Sequence, residues 1–150
     1  MYTGPLFIAA DHAGYQLKNR IVRYLTNELH CNIEDLGPTS YNAKDDYPDY
    51  AIPLAKKVVN TKGRGIIICG SGTGVCITTN KIAHIRCGLG YNIEAARSMM
   101  EHNNTNILAL AGKTLSEDHA MAIVKEWLES EFSNEERHVR RLKKIDQLET

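Results

Sequence analysis

Cys69 stands where an apolar run meets a glycine-rich loop, in the order Gly65-Ile66-Ile67-Ile68-Cys69-Gly70-Ser71-Gly72-Thr73-Gly74. Glycines at 70, 72 and 74 let successive backbone N–H groups approach a small ligand without side-chain obstruction, and a helix starting there adds its positive end. Gly70, Ser71, Gly72, Thr73 and Gly74 therefore form a candidate cradle for an anion or a developing oxyanion. The same helix end favours thiolate over thiol at Cys69, which suits a general base or nucleophile. A cysteine ending a buried strand also packs well as a small hydrophobe, and the residue alone leaves both readings open. The loop lacks the Gly-Lys-Ser/Thr of a Walker A loop and departs from the dinucleotide pattern G-x-G-x-x-G.

Asp11 and His12, in Asp11-His12-Ala13-Gly14, place a carboxylate and an imidazole side by side, able to accept from sugar hydroxyls and to donate to an anion. His102 and Asn103 sit in a loop that belongs at the amino end of a sheet, so a catalytic role for His102 requires that it serve a neighbouring subunit. Arg137 and Arg141 are four apart, on one helical face where two guanidinium groups can converge on a phosphate; a solvated charged face is the plainer reading of the same run. The histidines show no HExxH or similar spacing, so no metal is expected. Cys76, inside a helix, and Cys87, inside a strand, read as packing residues.

A strand–helix alternation is what would hold these groups in place. Leu6 to Ala10 reads as a buried strand, and Leu17, Ile21, Val22, Leu25 and Leu29 predict an amphipathic helix from about Tyr15 to Leu29. A short strand follows at Ile33 to Leu36. A helix carrying Ala51, Leu54, Ala55, Val58 and Val59 starts near Pro48 and Pro53 and closes at Gly63. Gly65 to Cys69 is the most strand-like segment, followed by a helix to about Ile82, a strand near Arg86 to Leu89 and a helix carrying Ile93, Ala96 and Met100. A strand from Ile107 to Ala111 and a helix through Ala120, Ile123, Val124, Trp127 and Leu128 complete the pattern. Strands apolar on both faces between amphipathic helices require an α/β fold, a parallel sheet covered on both sides. In the common order 2-1-3, the turn at Asp11 and the loop at Cys69 face each other across the crevice beyond the strand ends. A further helix, from about 135 to 148, carries a thin apolar stripe of Val139, Leu142, Ile145 and Leu148, suited to docking on a partner subunit or on its own domain.

The chain has 150 residues, enough for one domain with one core, and we expect a single domain over 1–150. Eighteen basic residues balance eighteen acidic ones, which argues against a general nucleic-acid or membrane binder. Cys31, Cys69, Cys76 and Cys87 form no C-x-x-C pair, which fits reduced thiols in a cytoplasmic protein. No apolar run is long enough for a signal peptide or a membrane span.

Taken in order, Asp11-His12-x-Gly14, Asp46-Tyr47-Pro48, Cys69-Gly70-Ser71-Gly72-Thr73-Gly74, Asn80-Lys81, His102-Asn103-x-Thr105-Asn106 and Arg137-His138-x-x-Arg141 resemble the ribose-5-phosphate isomerase B family across essentially the whole chain. The resemblance implies a three-layer α/β/α sandwich with a five-stranded parallel Rossmann-like sheet in the order 2-1-3-5-4. It also implies a homodimer, or a higher oligomer built from it, with sites drawn from both subunits, a sugar phosphate as ligand, and neither metal nor organic cofactor. By the same resemblance Cys69 is the base that moves a proton between C1 and C2 through a cis-enediol. Val75 stands where members lacking the cysteine carry glutamate, which supports that assignment. The amides of Gly70 to Gly74 would hold the enediolate, His102 would open the furanose ring, Asn103 and Asp11 would position hydroxyls, and His12, Arg137 and Arg141 would clamp the phosphate. Lys113 stands where many members have an arginine in contact with the phosphate; it keeps the charge and loses the fork.

These assignments point to reversible isomerisation of ribose 5-phosphate and ribulose 5-phosphate in the pentose phosphate pathway. An isomerase of allose 6-phosphate or galactose 6-phosphate is the neighbouring alternative. A nucleotide-binding regulatory module is a more distant one, and it leaves Cys69 and His102 without a role.

Overall fold

Alternate residues of the central strands point to opposite faces, and here both faces are apolar, so the sheet acquires a core on each side. The computed structural model describes residues 1–149. Its strands are β1 (Leu6–Ala10), β2 (Glu34–Asp35), β3 (Arg64–Cys69), β4 (Cys87–Leu89) and β5 (Ile107–Ala111), all parallel, in the order β2-β1-β3-β5-β4. Ala10 pairs with Ile68 and Cys69 with Ala111, so β1, β3 and β5 end nearly level.

The helices are α1 (Tyr15–Arg23), α2 (Pro48–Thr61), α3 (Thr73–Asn80), α4 (Ile93–Glu101), α5 (Glu117–Glu129) and α6 (Glu136–Asp146). Ile8, Ala10, Ile66, Ile68, Leu108 and Leu110 pack against α1, α4 and α5. Phe7, Ala9, Ile67, Cys69, Ile107 and Ala109 pack against α2 and α3. The result is the α/β/α sandwich, with Trp127 buried among the first set and its Nε1–H donating to Thr105 Oγ1 at 2.9 Å. Capping follows the sequence at two helix starts: the Asn92 side chain accepts from Ala95 N–H and Ser116 from His119 N–H.

Several element boundaries differ from expectation for local reasons. The first helix ends at Arg23 and continues as a wider turn over Tyr24–Glu28, in which Leu29 N–H reaches back to Tyr24 O. Only Glu34 and Asp35 of the second strand pair with β1, at an open sheet edge; there the buried Lys18 ammonium meets Asp35. Pro53 lies inside α2 on its exposed side, and Lys62, not Gly63, takes the left-handed conformation that ends the helix, with φ 53°. Beyond Asn80 the bonds from Lys81 N–H to Thr78 O and Ile82 N–H to Thr79 O tighten the chain, so α3 stops short of Ile82. The last helix, α6, stops at Asp146, short of Leu148; only His138 and Leu142 on it are buried, while Ile145 and, beyond its end, Leu148 are exposed. No helix among the described residues is long and apolar enough to cross a membrane.

Candidate active site

The strand order reverses at β1 and β3, and the two loops leaving them open a crevice of about 440 Å³. Asp11, His12, Tyr47, Cys69, Gly70, Ser71, Gly74 and Lys113 are among the residues that line it. Asp11 is buried, and one carboxylate oxygen accepts the N–H groups of Ala13 at 2.9 Å and Gly14 at 3.1 Å, which builds the tight turn into α1. Glycine is required at 14 because a Cβ there would come within 2.7 Å of Ile68 Cβ and its carbonyl oxygen.

Cys69 closes β3 with its carbonyl tied to Gly112 N–H at 2.8 Å, and Gly70 O accepts from Lys113 N–H at 3.0 Å. The end of β5 thus braces the glycine loop. Gly72 sits at φ 74°, and a Cβ there would meet Leu89 at 2.5 Å, so only glycine fits. Its N–H donates to Cys69 Sγ at 3.2 Å, which fixes the sulfur at the mouth of the loop. Thr73 N–H is likewise turned onto Ser71 Oγ at 3.3 Å. Gly72 and Thr73 do not line the crevice, which leaves Gly70, Ser71 and Gly74 as the loop residues facing it.

Two side chains at the site carried no assignment from the sequence. The Tyr47 ring lies over Gly74, so close that a Cβ on Gly74 would be 2.7 Å from it. Its signal was the Asp46-Tyr47-Pro48 motif, with Pro48 starting α2. Asp45 bonds to His12, with Oδ1 2.6 Å from Nδ1. Asp11, His12 and Asp45 place one donor atom each within 4.8 Å of one another, with His12 Nδ1 and Asp45 Oδ1 engaged by each other. Lys113 runs its aliphatic chain past Gly70, placing its charge at the crevice rim.

His102, Asn103, Arg137 and Arg141 do not join this group. His102 follows α4, at the end of the sheet opposite the crevice, with its ring 4.5 Å from that of His138 on α6. Asn103 lines a separate cavity between β4 and α6. Arg137 pairs with Glu135 at 2.8 Å, and both Arg137 and Arg141 are exposed. The residues singled out in the sequence therefore fall into two groups, one at the crevice and one at the opposite end of the sheet.

Burial pushes the His138 imidazole below the ordinary histidine range, helped by the charges of His102, Arg137 and Arg141 and opposed by Glu135. The unfolded chain then binds the proton more readily than the folded one, so the stabilisation is complete above the ordinary histidine value of about 6.5 and is lost as pH falls through the folded one. Between pH 7 and pH 5 the wild type is expected to lose more Tm than His138→Phe, which keeps the ring against His102; equal losses would clear His138 of the effect.

Cys76 and Cys87, read as packing residues, lie against each other between α3 and β4. Hydrogen bonds from the Cys87 thiol and the Asn80 amide lower Cys76 to about 7, against the effect of its burial. The Cys76 contact and burial raise Cys87, and burial raises Cys31. Iodoacetamide at pH 7.5 should therefore label Cys76 ahead of Cys31 and Cys87 by peptide mapping; equal labelling would refute the assignment.

Residues 6–145 match a family described as Ribose/Galactose Isomerase. The chain is 38% identical over 138 residues to ribose-5-phosphate isomerase B of Mycobacterium tuberculosis, covering 91% of this chain and 85% of that one. Among solved structures, ribose-5-phosphate isomerase B of Mycoplasma genitalium with bound ribulose-5-phosphate superposes with a TM-score of 0.94 at 36% identity, over 99% of this chain and 98% of that one. The Clostridium thermocellum ribose-5-phosphate isomerase B gives a TM-score of 0.92 at 38% identity, over 97% of each chain.

Proposed function

The chain belongs to the ribose/galactose isomerase family, and from that premise we propose that it interconverts ribose 5-phosphate and ribulose 5-phosphate in the cytoplasm, as a step of the pentose phosphate pathway. The observation that carries this reading is the position of Cys69: its sulfur sits at the mouth of a glycine loop braced by β5, and across the crevice stand Asp11 and His12.

In this reading the Cys69 thiolate removes the proton from C2 of the open-chain aldose, the C–H electrons form the C1–C2 double bond, and the carbonyl oxygen at C1 becomes an enediolate oxygen. Amides at Gly70, Ser71 and Gly74 hold that oxygen. The thiol then returns the proton to C1 while the O2 hydroxyl proton passes to O1, giving the ketose with its carbonyl at C2 and a hydroxyl at C1. Asp11 positions a sugar hydroxyl, and Lys113 and His12 draw the phosphate to the crevice. Their binding energy orients C1 and C2 at the base.

His102, Asn103, Arg137 and Arg141 reach a crevice only from a second copy of the chain, His102 to open the furanose ring and the arginines to clamp the phosphate. Two observations support a homodimer of this kind: the separation of the two groups and the exposed apolar end of α6.

The test is conversion of ribose 5-phosphate by the purified protein with a chelator present throughout, beside allose 6-phosphate and galactose 6-phosphate. Turnover of the pentose well above both hexoses is expected. Preference for a hexose phosphate would move the assignment within the family, and no turnover of any of the three would overturn it.

A further inference from the structure

Ahead of Asp46-Tyr47-Pro48 the polar loop between β2 and α2 carries no recognisable motif, yet it delivers a buried carboxylate to the back of His12, which lines the crevice. Asp45 Oδ1 lies 2.6 Å from His12 Nδ1 and accepts the backbone N–H of the same residue at 3.0 Å. An oxygen already accepting from the main chain is the acceptor for the ring as well, so Nδ1 carries the proton and Nε2 is the nitrogen left for a ligand. Bonds to the main chain and to the ring of one residue fix both its place and its rotation.

The surroundings fit a dedicated support. The Asp45 side chain is only 6% exposed, whereas that of His12 is 32% exposed, so the carboxylate is sealed behind the imidazole. Among the described residues Asp45 Oδ2 is buried with no close hydrogen-bond partner, and the neighbouring Tyr50 hydroxyl is held above its ordinary range by burial and by the Asp45 charge. Tyr41, from the same loop, sets its ring edge-on to His12 with centroids 6.3 Å apart, and the Tyr15 hydroxyl donates to Thr39 O. Loop and imidazole are thus held as one unit.

We propose that Asp45 is the positioning residue of the His12 ligand contact: it holds the imidazole in the Nδ1–H form with Nε2 presented to the crevice, and it balances the ring's charge when an anionic phosphate draws a proton onto Nε2. The proposal rests on the reading of His12 as a phosphate ligand. It makes the loop from Gly37 to Tyr47 a determinant of phosphate affinity, and leaves the proton transfer at Cys69 untouched.

Two variants separate orientation from charge. Asp45→Ala removes both, whereas Asp45→Asn keeps an acceptor of the same shape and removes only the charge. Nitrogen-15 signals of the His12 ring report its tautomer directly, and a titration with inorganic phosphate reports the contact without any turnover. In Asp45→Ala the ring should pass to a mixture of tautomers. The phosphate midpoint and the KM for ribose 5-phosphate should each rise about 10- to 100-fold, the scale of one lost charged hydrogen bond, with kcat within about threefold. Asp45→Asn should keep the Nδ1–H form and recover part of the affinity.

An unchanged tautomer together with an unchanged phosphate midpoint in Asp45→Ala would reduce Asp45 to a loop anchor, and a fall in kcat at constant KM would refute the proposal equally. If the alanine variant does not fold, wild-type affinity in Asp45→Asn overturns the charge-balancing role. An inactive wild type whose His12 signals still respond to phosphate would defeat the isomerase reading while leaving Asp45 to be judged by the ring signals.

Discussion

Cys69→Ala is expected to fold as the wild type does and to convert ribose 5-phosphate about 10²- to 10⁴-fold more slowly, the usual scale for loss of a positioned general base. The fold should survive because the change removes one sulfur from a strand end that remains tied to Gly112 N–H and paired with Ala111. The cost is the hydrogen bond that Gly72 N–H makes to the sulfur, about 1 kcal/mol. KM should move little, since the groups assigned to the phosphate lie elsewhere. Cys69→Ser sharpens the test: a hydroxyl can keep the Gly72 bond and nearly the size of the thiol, but it is a far weaker acid, so a base role predicts that serine is folded and nearly as slow as alanine. Circular dichroism and thermal melting beside initial rates decide the matter. Near-wild-type turnover in either variant would take the base role away from Cys69.

The sandwich was legible because its signal is local. Apolar runs at Leu6, Ile66 and Ile107 alternate with three- and four-residue apolar periods, and the structure answers each with a strand or a helix. The facing of the Asp11 turn and the Cys69 loop follows from that alternation and a common strand order. The interchange of β4 and β5 does not; it came only with the family resemblance, because nothing in the periods of Arg86–Leu89 and Ile107–Ala111 says which of them lies next to β3. Asp45 was hidden for a related reason. Its contact with His12 spans 33 positions from an otherwise polar loop, and no local pattern encodes such a pairing. The Tyr47 ring over Gly74 and the His102 ring against His138 are long-range packing events of the same kind. Within the glycine loop the sequence marked five candidate donors, but it could not show that Gly72 N–H turns toward Cys69 and Thr73 N–H toward Ser71. That choice is set by the left-handed turn at Gly72.

Mixing Cys69→Ala chains with His102→Ala chains should restore activity that neither has alone. The crevice of one chain holds Cys69 without His102, and the opposite end of the sheet holds His102 without Cys69. In a mixed dimer, therefore, one site receives both changes and the other receives neither. Random exchange makes half the dimers mixed, so about a quarter of the wild-type sites should return. The reciprocal mixture makes the test two-sided. A chain carrying both changes, mixed equally with wild type, puts one broken residue into each site of every mixed dimer, so activity should fall to about a quarter of that of an equal number of wild-type sites. If Cys69 and His102 served the same chain's site, the first mixture would stay inactive after exchange verified by mass spectrometry, and the second would keep about half. The shared-site arrangement alone predicts both departures, recovery in the first mixture and excess loss in the second, and poor exchange, which leaves the first inactive and the second at about half, can produce neither.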